Sequence, residues 1–422
     1  MSTSHETSAP SAGNSTAPGA GGSGMPIGRL PAHVPPFFSP AFAADPGPTL
    51  AWLRENSPIY AEPFSRMLVV TRHEDSEAAL RHPALSAAGG QSDRSARSGA
   101  PVTMLNTDGP DHDRLRRPAG QLLGPTAVRS ISTDLEADLQ AIIDGLVDLA
   151  EPPDLLTDVA EPLSTAVLAR LFAIEDPQAR VALDAHARAV QVTLNPVPDP
   201  RTAQAGQDAM AAFIEFLDEV LTDVPEGTPL AALVADPTLS RDEVKGVLSL
   251  CLVGGWSPWA DALTSTVRAA LADPAVAERV LAGAQAPGLV EEVLRWHTPI
   301  PFVARRATSS LDLPSGSIPQ GAMVLVHIGS ANRDGAVFEQ ADEVVAQRIP
   351  REHLALGSGA HFCMGAALIR ATAPSAAHRL LATYPDLAAG DLGPVTWRTG
   401  IFPRSVESTT LLLAPSPEVP ST

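Results

Sequence analysis

The run LGSGAHFCMGAALIRA, Leu356 to Ala371, decides how the rest of the chain is read. Gly357 and Gly359 free the backbone for a tight loop that can pass close to a flat ligand. Cys363 follows beside Gly365, where a helical pattern begins. Free N–H groups and the dipole at a helix start favour an anionic sulfur. A thiolate ligand to iron requires that anion, and its electron donation favours O–O cleavage. A lone cysteine is more often structural, but here the glycines, His361 and Arg370 stand at set offsets around it.

Upstream of this loop, LVEEVLRWHTPIP sets Glu292 and Arg295 one helical turn apart, where their side chains can meet. Further back, DGPDHDRLRRPAG sets His112 and Arg116 on one helical face, and VARRATSS carries Arg305 and Arg306. Taken singly, each of these is more often an ordinary surface charge. In this order, over roughly residues 30 to 415, they resemble the cytochrome P450 family in its bacterial soluble, actinobacterial natural-product type. The cysteine run matches the pattern F-G-x-G-x-H-x-C-x-G except at its first position, where Leu356 replaces phenylalanine.

The resemblance implies a mainly α fold, a helical prism with a small β-rich subdomain. It also implies haem b, with Cys363 as the ligand to iron and Gly365 beside it. His112 and Arg116 would hold one propionate and Arg305 the other, with Arg306 its less favoured neighbour. His361 would complete that shell. Glu292, Arg295 and Arg348, the last from QRIPREHLALG, would form a structural lock. Substrate contacts would come from the loop near 84–103, the region around 170–200, Ile300, Val303, Ile401 and Phe402. Electrons would come from a ferredoxin and its ferredoxin reductase, docking on Arg114, Arg117, Arg351 and Arg370.

The family's central helix usually carries A/G-G-x-D/E-T, whose acid and alcohol deliver protons over the haem. Here the matching stretch is LVGGWSPWADAL. Gly254 and Gly255 align with the small residues, Ser257 stands where the acid belongs and Pro258 replaces the alcohol. Trp256 and Trp259 flank them. Gly255, Trp256, Ser257 and Pro258 are thus expected on the distal side, and Asp261, one turn past Ser257, is a candidate relay. Proline has neither hydroxyl nor N–H and opens the helix ladder at the Gly254 carbonyl. Substrate-assisted hydroxylation, oxidative coupling and peroxide-driven peroxygenation all remain open, since some peroxygenase relatives also carry proline here. A non-catalytic haem protein, serving recruitment or sensing, is the reading from another class.

Composition bounds the partners. A net charge of −19 argues against nucleic acid, because phosphate binding needs clustered cations. Lys245 is the single lysine, and the arginine, alanine and proline bias points to a GC-rich bacterial genome. Cys251 and Cys363 cannot build a disulfide framework, so a reducing cytoplasm is the expected compartment. The stretch 1–28 reads as a disordered tail, 29–415 as a single domain and 416–422 as a disordered end. No apolar run is long enough to span a bilayer. The substrate would be a small molecule or peptide, free or tethered to a carrier.

Helical patterns are expected at 49–56, 73–82, 111–123, 125–150, 157–173, 177–191, 202–222, 241–272, 288–296 and about 363–382. IYAEPFSRMLVVTR reads as a hairpin, and strand texture follows Phe302 and reappears in VTWRTGIFPRSVESTTLLLA. That pattern suggests one core without a separate second one.

Overall fold

The computed structural model describes residues 30–37, 39–88, 102–191, 200–283, 288–389, 396–397 and 406–413. The helices are α1 (Pro40–Ala44), α2 (Gly47–Asn56), α3 (His73–Arg81), α4 (Gly109–Leu123), α5 (Pro125–Asp144), α6 (Glu161–Leu171) and α7 (Pro177–Val190). They continue as α8 (Pro200–Val220), α9 (Pro229–Val234), α10 (Arg241–Ala272), α11 (Pro274–Leu281), α12 (Leu289–His297), α13 (Ile328–Ala331) and α14 (Ala366–Thr383). The strands are β1 (Ile59–Ala61), β2 (Leu68–Val70), β3 (Leu85–Ser86), β4 (Val303–Ala307), β5 (Leu311–Leu313), β6 (Gly316–Ile318), β7 (Met323–Val326), β8 (Thr396–Trp397) and β9 (Val406–Ser408).

Several helix starts are a capping side chain followed by proline. Asp176, Thr228 and Asp273 each accept from a first-turn N–H, ahead of Pro177, Pro229 and Pro274. The cap satisfies an orphan donor, and proline supplies a helical φ with no N–H to lose. The long helix α10 opens on a capping box. Ser240 Oγ accepts from the Glu243 N–H at 3.2 Å while the Glu243 carboxylate accepts from the Ser240 N–H at 2.8 Å. Apolar residues surround α10 on most faces, which suits a helix enclosed by others.

Five strands pair in the order β1-β2-β7-β4-β3, with β2 parallel to β7 and the other pairs antiparallel. The register sets Val303 opposite Val326 and Arg305 opposite Val324. Strand alternation then gives Val303, Arg305 and Ala307 one face and Ala304 and Arg306 the other.

The hairpin expected from IYAEPFSRMLVVTR is β1–β2, and 241–272 coincides with α10. The helix expected over 125–150 gives way at Gly145 to a 3₁₀ turn, Gly145–Asp148. The segment before α6 winds as a π-helix, Leu155–Ala160. Helices α9 and α11 were not anticipated: each is short, so the apolar period has little room to show. The last helix begins at Ala366, so Cys363 precedes it.

Among the described residues, apolar side chains gather in three clusters, which corrects the expectation of a single core. One fills the helical body, from Leu122 and Leu163 to Leu263 and Leu380. A second lies against the sheet, around Val70, Ile318 and Val326, and a third joins Phe37, Leu53, Tyr60 and Phe302. The division follows from the sheet, whose two faces each need an apolar cover. No described helix is long and apolar enough to cross a membrane.

Candidate active site

The cysteine loop is closed by its own backbone. The Cys363 N–H donates to Leu356 O at 2.8 Å, and the Gly357 N–H donates to Leu354 O at 2.8 Å. Gly357 and Gly359 both have φ of +73°, where a side chain would be strained. A Cβ on Gly359 would also stand 3.2 Å from the Leu80 carbonyl oxygen, so α3 packs directly on the loop. Arg81 Nε donates to Ser358 Oγ at 2.7 Å and fixes that contact.

Cys363 opens onto a cavity of about 940 Å³. Burial pushes its thiol up, while the Gly365 and Ala366 N–H groups, Arg116 and Arg370 pull it down. Burial outweighs them, and the thiol stands above its ordinary value. Cys251 also touches the cavity, but burial pushes its thiol to about 12, and nothing opposes it. Cys363 is the better ligand of the two.

A cationic and imidazole cluster borders the same cavity. Arg305 is 4% exposed and faces it from β4, while Arg306 turns toward Gly321 on the other face of the strand. Burial pulls the Arg305 guanidinium down and Asp108 raises it again. From α4, Arg116 also lines the cavity and donates to Phe362 O at 2.5 Å. The rings of His112 and His361 lie 4.5 Å apart. His361 Nε2 meets Asp108 Oδ1 at 3.1 Å, and His112 Nδ1 meets Asp113 Oδ1 at 3.1 Å. The buried His112 Nε2 has no partner among the described protein atoms, which marks a place for a further polar group.

The distal helix corrects the sequence reading. Gly254, Gly255, Pro258 and Trp259 line the cavity; Trp256 and Ser257 do not. The cause is helical period. Val247, Leu250, Cys251, Gly254, Gly255 and Pro258 form one stripe, and positions 256 and 257 fall on other faces. The Trp256 indole N–H donates to Thr165 Oγ1 at 2.9 Å, and the Arg188 guanidinium sits 5.6 Å from the centre of its ring. Ser257 Oγ donates to Asp261 Oδ2 at 3.2 Å, and both residues are buried off the cavity. Asp261 is therefore not on the distal wall. Trp259 is, with its indole N–H donating to Thr372 Oγ1 at 2.7 Å.

The three residues expected to form a lock lie together. Glu292 and Arg295 are fully buried and joined by two bonds, at 2.8 and 2.9 Å. Arg348 adds a third contact to Glu292 at 3.1 Å. The remaining Arg295 donors reach the carbonyls of Asn332, Ala341 and Glu343, so this one side chain ties α12 to the long segment before the cysteine loop. Ile300 and Val303 line the cavity, while Ile401 and Phe402 lie outside the described residues. So do residues 89–101 and 192–199, within the two regions expected to touch substrate.

A family model described as Cytochrome P450 matches residues 287–384, the span from α12 through the cysteine loop to α14. Cytochrome P450 107B1 of Saccharopolyspora erythraea is 30% identical over 414 residues, covering 91% of this chain and 98% of that one. The chain belongs to the cytochrome P450 family. Bacillus subtilis PksS, a polyketide biosynthesis cytochrome P450, is 28% identical over 323 residues, covering 72% of this chain and 76% of its own. Its solved structure superimposes with a TM-score of 0.79 over 89% of this P450 and 99% of PksS. An epothilone D-bound P450epoK, 24% identical, shares the fold with a TM-score of 0.78 over 90% of this chain and 98% of its own.

This P450 is thus an oxidoreductase whose cofactor is haem. The residues present fit that group. The cavity offers the Cys363 sulfur and a basic rim of Arg116, Arg305 and His361, with the orphaned His112 nitrogen beside His361, and Gly254 and Gly255 also line it. Bound haem supplies the oxidising chemistry; the chain binds, orients and shields it. Cys363 would hold the iron, and Arg116, Arg305, His112 and His361 would hold the propionates by charge-assisted bonds.

Two of the four arginines assigned to docking prove committed elsewhere. Arg114 pairs with Glu243 at 2.6 Å, and Arg370 with Glu291 at 2.5 and 3.1 Å. Burial pushes Glu291 up, but His353 and Arg370 overcome it and hold the carboxyl at about 2. These charges are neutralised at home, and only Arg117 and Arg351 of the set keep exposed side chains without a short ion pair. Sequence reasoning reached α6 only at its end, where Leu171 falls in the region around 170–200. Ser164, Val167, Leu168 and Leu171 line the cavity at spacings of three, one and three, a helical stripe present in the sequence.

Proposed function

We propose that this P450 is a monooxygenase-type oxidase that tailors a largely apolar natural product, by hydroxylation or oxidative coupling. The observation that carries the reading is the cavity wall. Apart from the basic rim assigned to haem, the charged residue lining it is Glu62, and that carboxylate is consumed by its own turn. It accepts from the Phe64 N–H at 3.1 Å, the Ser65 N–H at 2.5 Å and Ser65 Oγ at 2.6 Å. What remains is apolar surface from α6, α10 and β4, suited to a scaffold recognised by shape. The likeness to PksS, whose name places it in polyketide biosynthesis, agrees with such a substrate.

In this reading Cys363 would hold the iron, His112, Arg116, Arg305 and His361 would anchor the propionates, and Gly254 and Gly255 would line the space left for oxygen and substrate. Glu292, Arg295 and Arg348 hold the fold around the cofactor. Ile300 and Val303 contact substrate. Electrons arrive from a ferredoxin and its reductase. A peroxide-driven reaction is the second reading, favoured by one observation: Pro258 presents neither hydroxyl nor acid to the cavity.

The test is a Soret titration of the purified ferric protein against aromatic cyclic dipeptides, phenolic peptides, macrolides and terpenes. A high-spin shift with the aromatic ligands supports coupling, and one confined to hydroxylated macrolides or terpenes supports substrate-assisted hydroxylation. Tight binding only of small charged ligands would sink the apolar-scaffold reading. Product formed with peroxide alone, at a rate matching the ferredoxin-driven one, would establish the second reading.

A further inference from the structure

The acid and alcohol missing from the distal helix have counterparts on the helix that crosses it. Ser164 of α6 lines the cavity, and its Oγ donates to the Trp256 carbonyl oxygen at 2.7 Å. One turn earlier stands Glu161, 1% exposed. The two lie on the stripe that continues through Leu168 and Leu171, with Cβ atoms at i and i+3 about 5–6 Å apart. Glu161 does not itself line the cavity; the stripe runs from this buried carboxylate through the Ser164 hydroxyl to the apolar cavity wall.

What holds α6 here is the tryptophan found between Gly255 and Ser257. Consecutive residues of α6 grip it: Ser164 bonds its carbonyl, and Thr165 Oγ1 accepts its indole N–H. Thr165 in turn donates to Asp184 Oδ1 at 2.8 Å. Gly255 stands at the crossing, where a Cβ would make only an ordinary contact with Leu168 Cδ2, at 4.0 Å. Glu161 itself is reached from outside. Its carboxylate accepts from Arg188, whose side chain is 41% exposed and also pairs with Asp184 at 2.8 Å. The π-helical segment Leu155–Ala160 ends directly at Glu161, so the register of α6 is reset just where the carboxylate enters.

We propose that Glu161 and Ser164 deliver protons to the cavity in place of the absent pair on α10. Solvent protonates the Glu161 carboxylate when Arg188 swings outward. The carboxylic acid then gives its proton to Ser164 Oγ as the Ser164 hydroxyl proton leaves toward an acceptor in the cavity. One proton enters and one departs, both residues return to their starting states, and no electron moves. For this transfer the Glu161 carboxyl turns from Arg188 toward Ser164, and the Ser164 hydroxyl turns from the Trp256 carbonyl, each by side-chain rotation. The proposal rests on the reading that the cavity holds haem and reduces dioxygen; it does not depend on which substrate is bound.

The test uses the haem-loaded full chain, reduced by a surrogate ferredoxin and reductase, with no substrate added. Carbon monoxide bound to the reduced protein is the first probe. Its C–O stretch is expected to shift in Ser164→Ala and to lose its difference between H₂O and D₂O. The second readout is hydrogen peroxide released per dioxygen consumed. It is expected to rise several-fold in Ser164→Ala and Glu161→Gln, and to fall back toward wild type in Glu161→Asp. With a substrate found by titration, product formation in Glu161→Gln should drop by about tenfold or more.

An unshifted C–O stretch in Ser164→Ala, or unchanged peroxide release in Glu161→Gln, overturns the proposal. If Glu161→Gln cannot hold haem, the solvent isotope effect on dioxygen consumption decides instead: it should change in Ser164→Ala, and an unchanged effect overturns the proposal. Failure to find a natural-product ligand leaves these readouts intact. Failure of the readouts leaves the substrate reading intact.

Discussion

Pro258 and Ser257 show how much one rotation of a helix decides. In sequence they occupy adjacent positions of the missing pair; in space only Pro258 meets the cavity, while Ser257 bonds Asp261 inside the protein. Restoring the pair residue by residue should therefore give opposite results. Pro258→Thr returns a hydroxyl to the cavity wall and a backbone N–H to the Gly254 carbonyl, so product formed per electron consumed is expected to rise. Ser257→Asp instead sets a second carboxylate against Asp261 at a site 3% exposed or less. Like charges there cannot both ionise, and the variant should lose about 3 kcal/mol or more of stability. Thermal unfolding of the haem-loaded variants reads this directly. A Ser257→Asp protein that melts with the wild type would show that position 257 is more open than its burial indicates.

The helices that carry the site were legible because their periods are long and their caps are explicit. The 32-residue α10 has a capping box at one end and Asp273–Pro274 beyond the other. The cysteine loop was legible because two left-handed glycines and a close approach to α3 admit few other sequences. What escaped was whichever feature depends on two elements meeting. The stripe on α6 carries meaning only once α6 crosses α10 at Gly255, and Trp256 was read as a cavity residue because its anchor, Thr165, lies 91 positions away. The lock lies between these extremes. Glu292 and Arg295 declared themselves by spacing, but the four carbonyl and N–H partners that make them indispensable belong to residues 332–345. Glu292→Gln leaves Arg295 buried with its charge uncompensated, at a cost of about 3–5 kcal/mol. Chemical denaturation should show that loss, with haem released in the same transition. Haem release well before unfolding would mean that the lock secures the cofactor and not the fold.

At the scale of the whole molecule, charge sets two opposing terms for any acidic electron donor. The chain carries −19 overall and would repel such a donor at long range, while exposed Arg117 and Arg351, if they form the docking site, would attract it locally. Arg114 and Arg370 add little to the attraction, because Glu243 and Glu291 already neutralise them. Salt screens the long-range repulsion first, since the Debye length shortens to about 10 Å near 0.1 M, and weakens the close contacts only at higher concentration. Ferredoxin-driven reduction should therefore quicken with added salt, pass through a maximum and then slow. Arg117→Glu combined with Arg351→Glu removes the attractive term, so the falling limb should disappear and the KM for ferredoxin should rise by about tenfold at low salt, with kcat little changed. A wild-type rate that only falls as salt is added would mean that docking uses a stronger basic patch than these two arginines, and that the net charge is not felt at the contact.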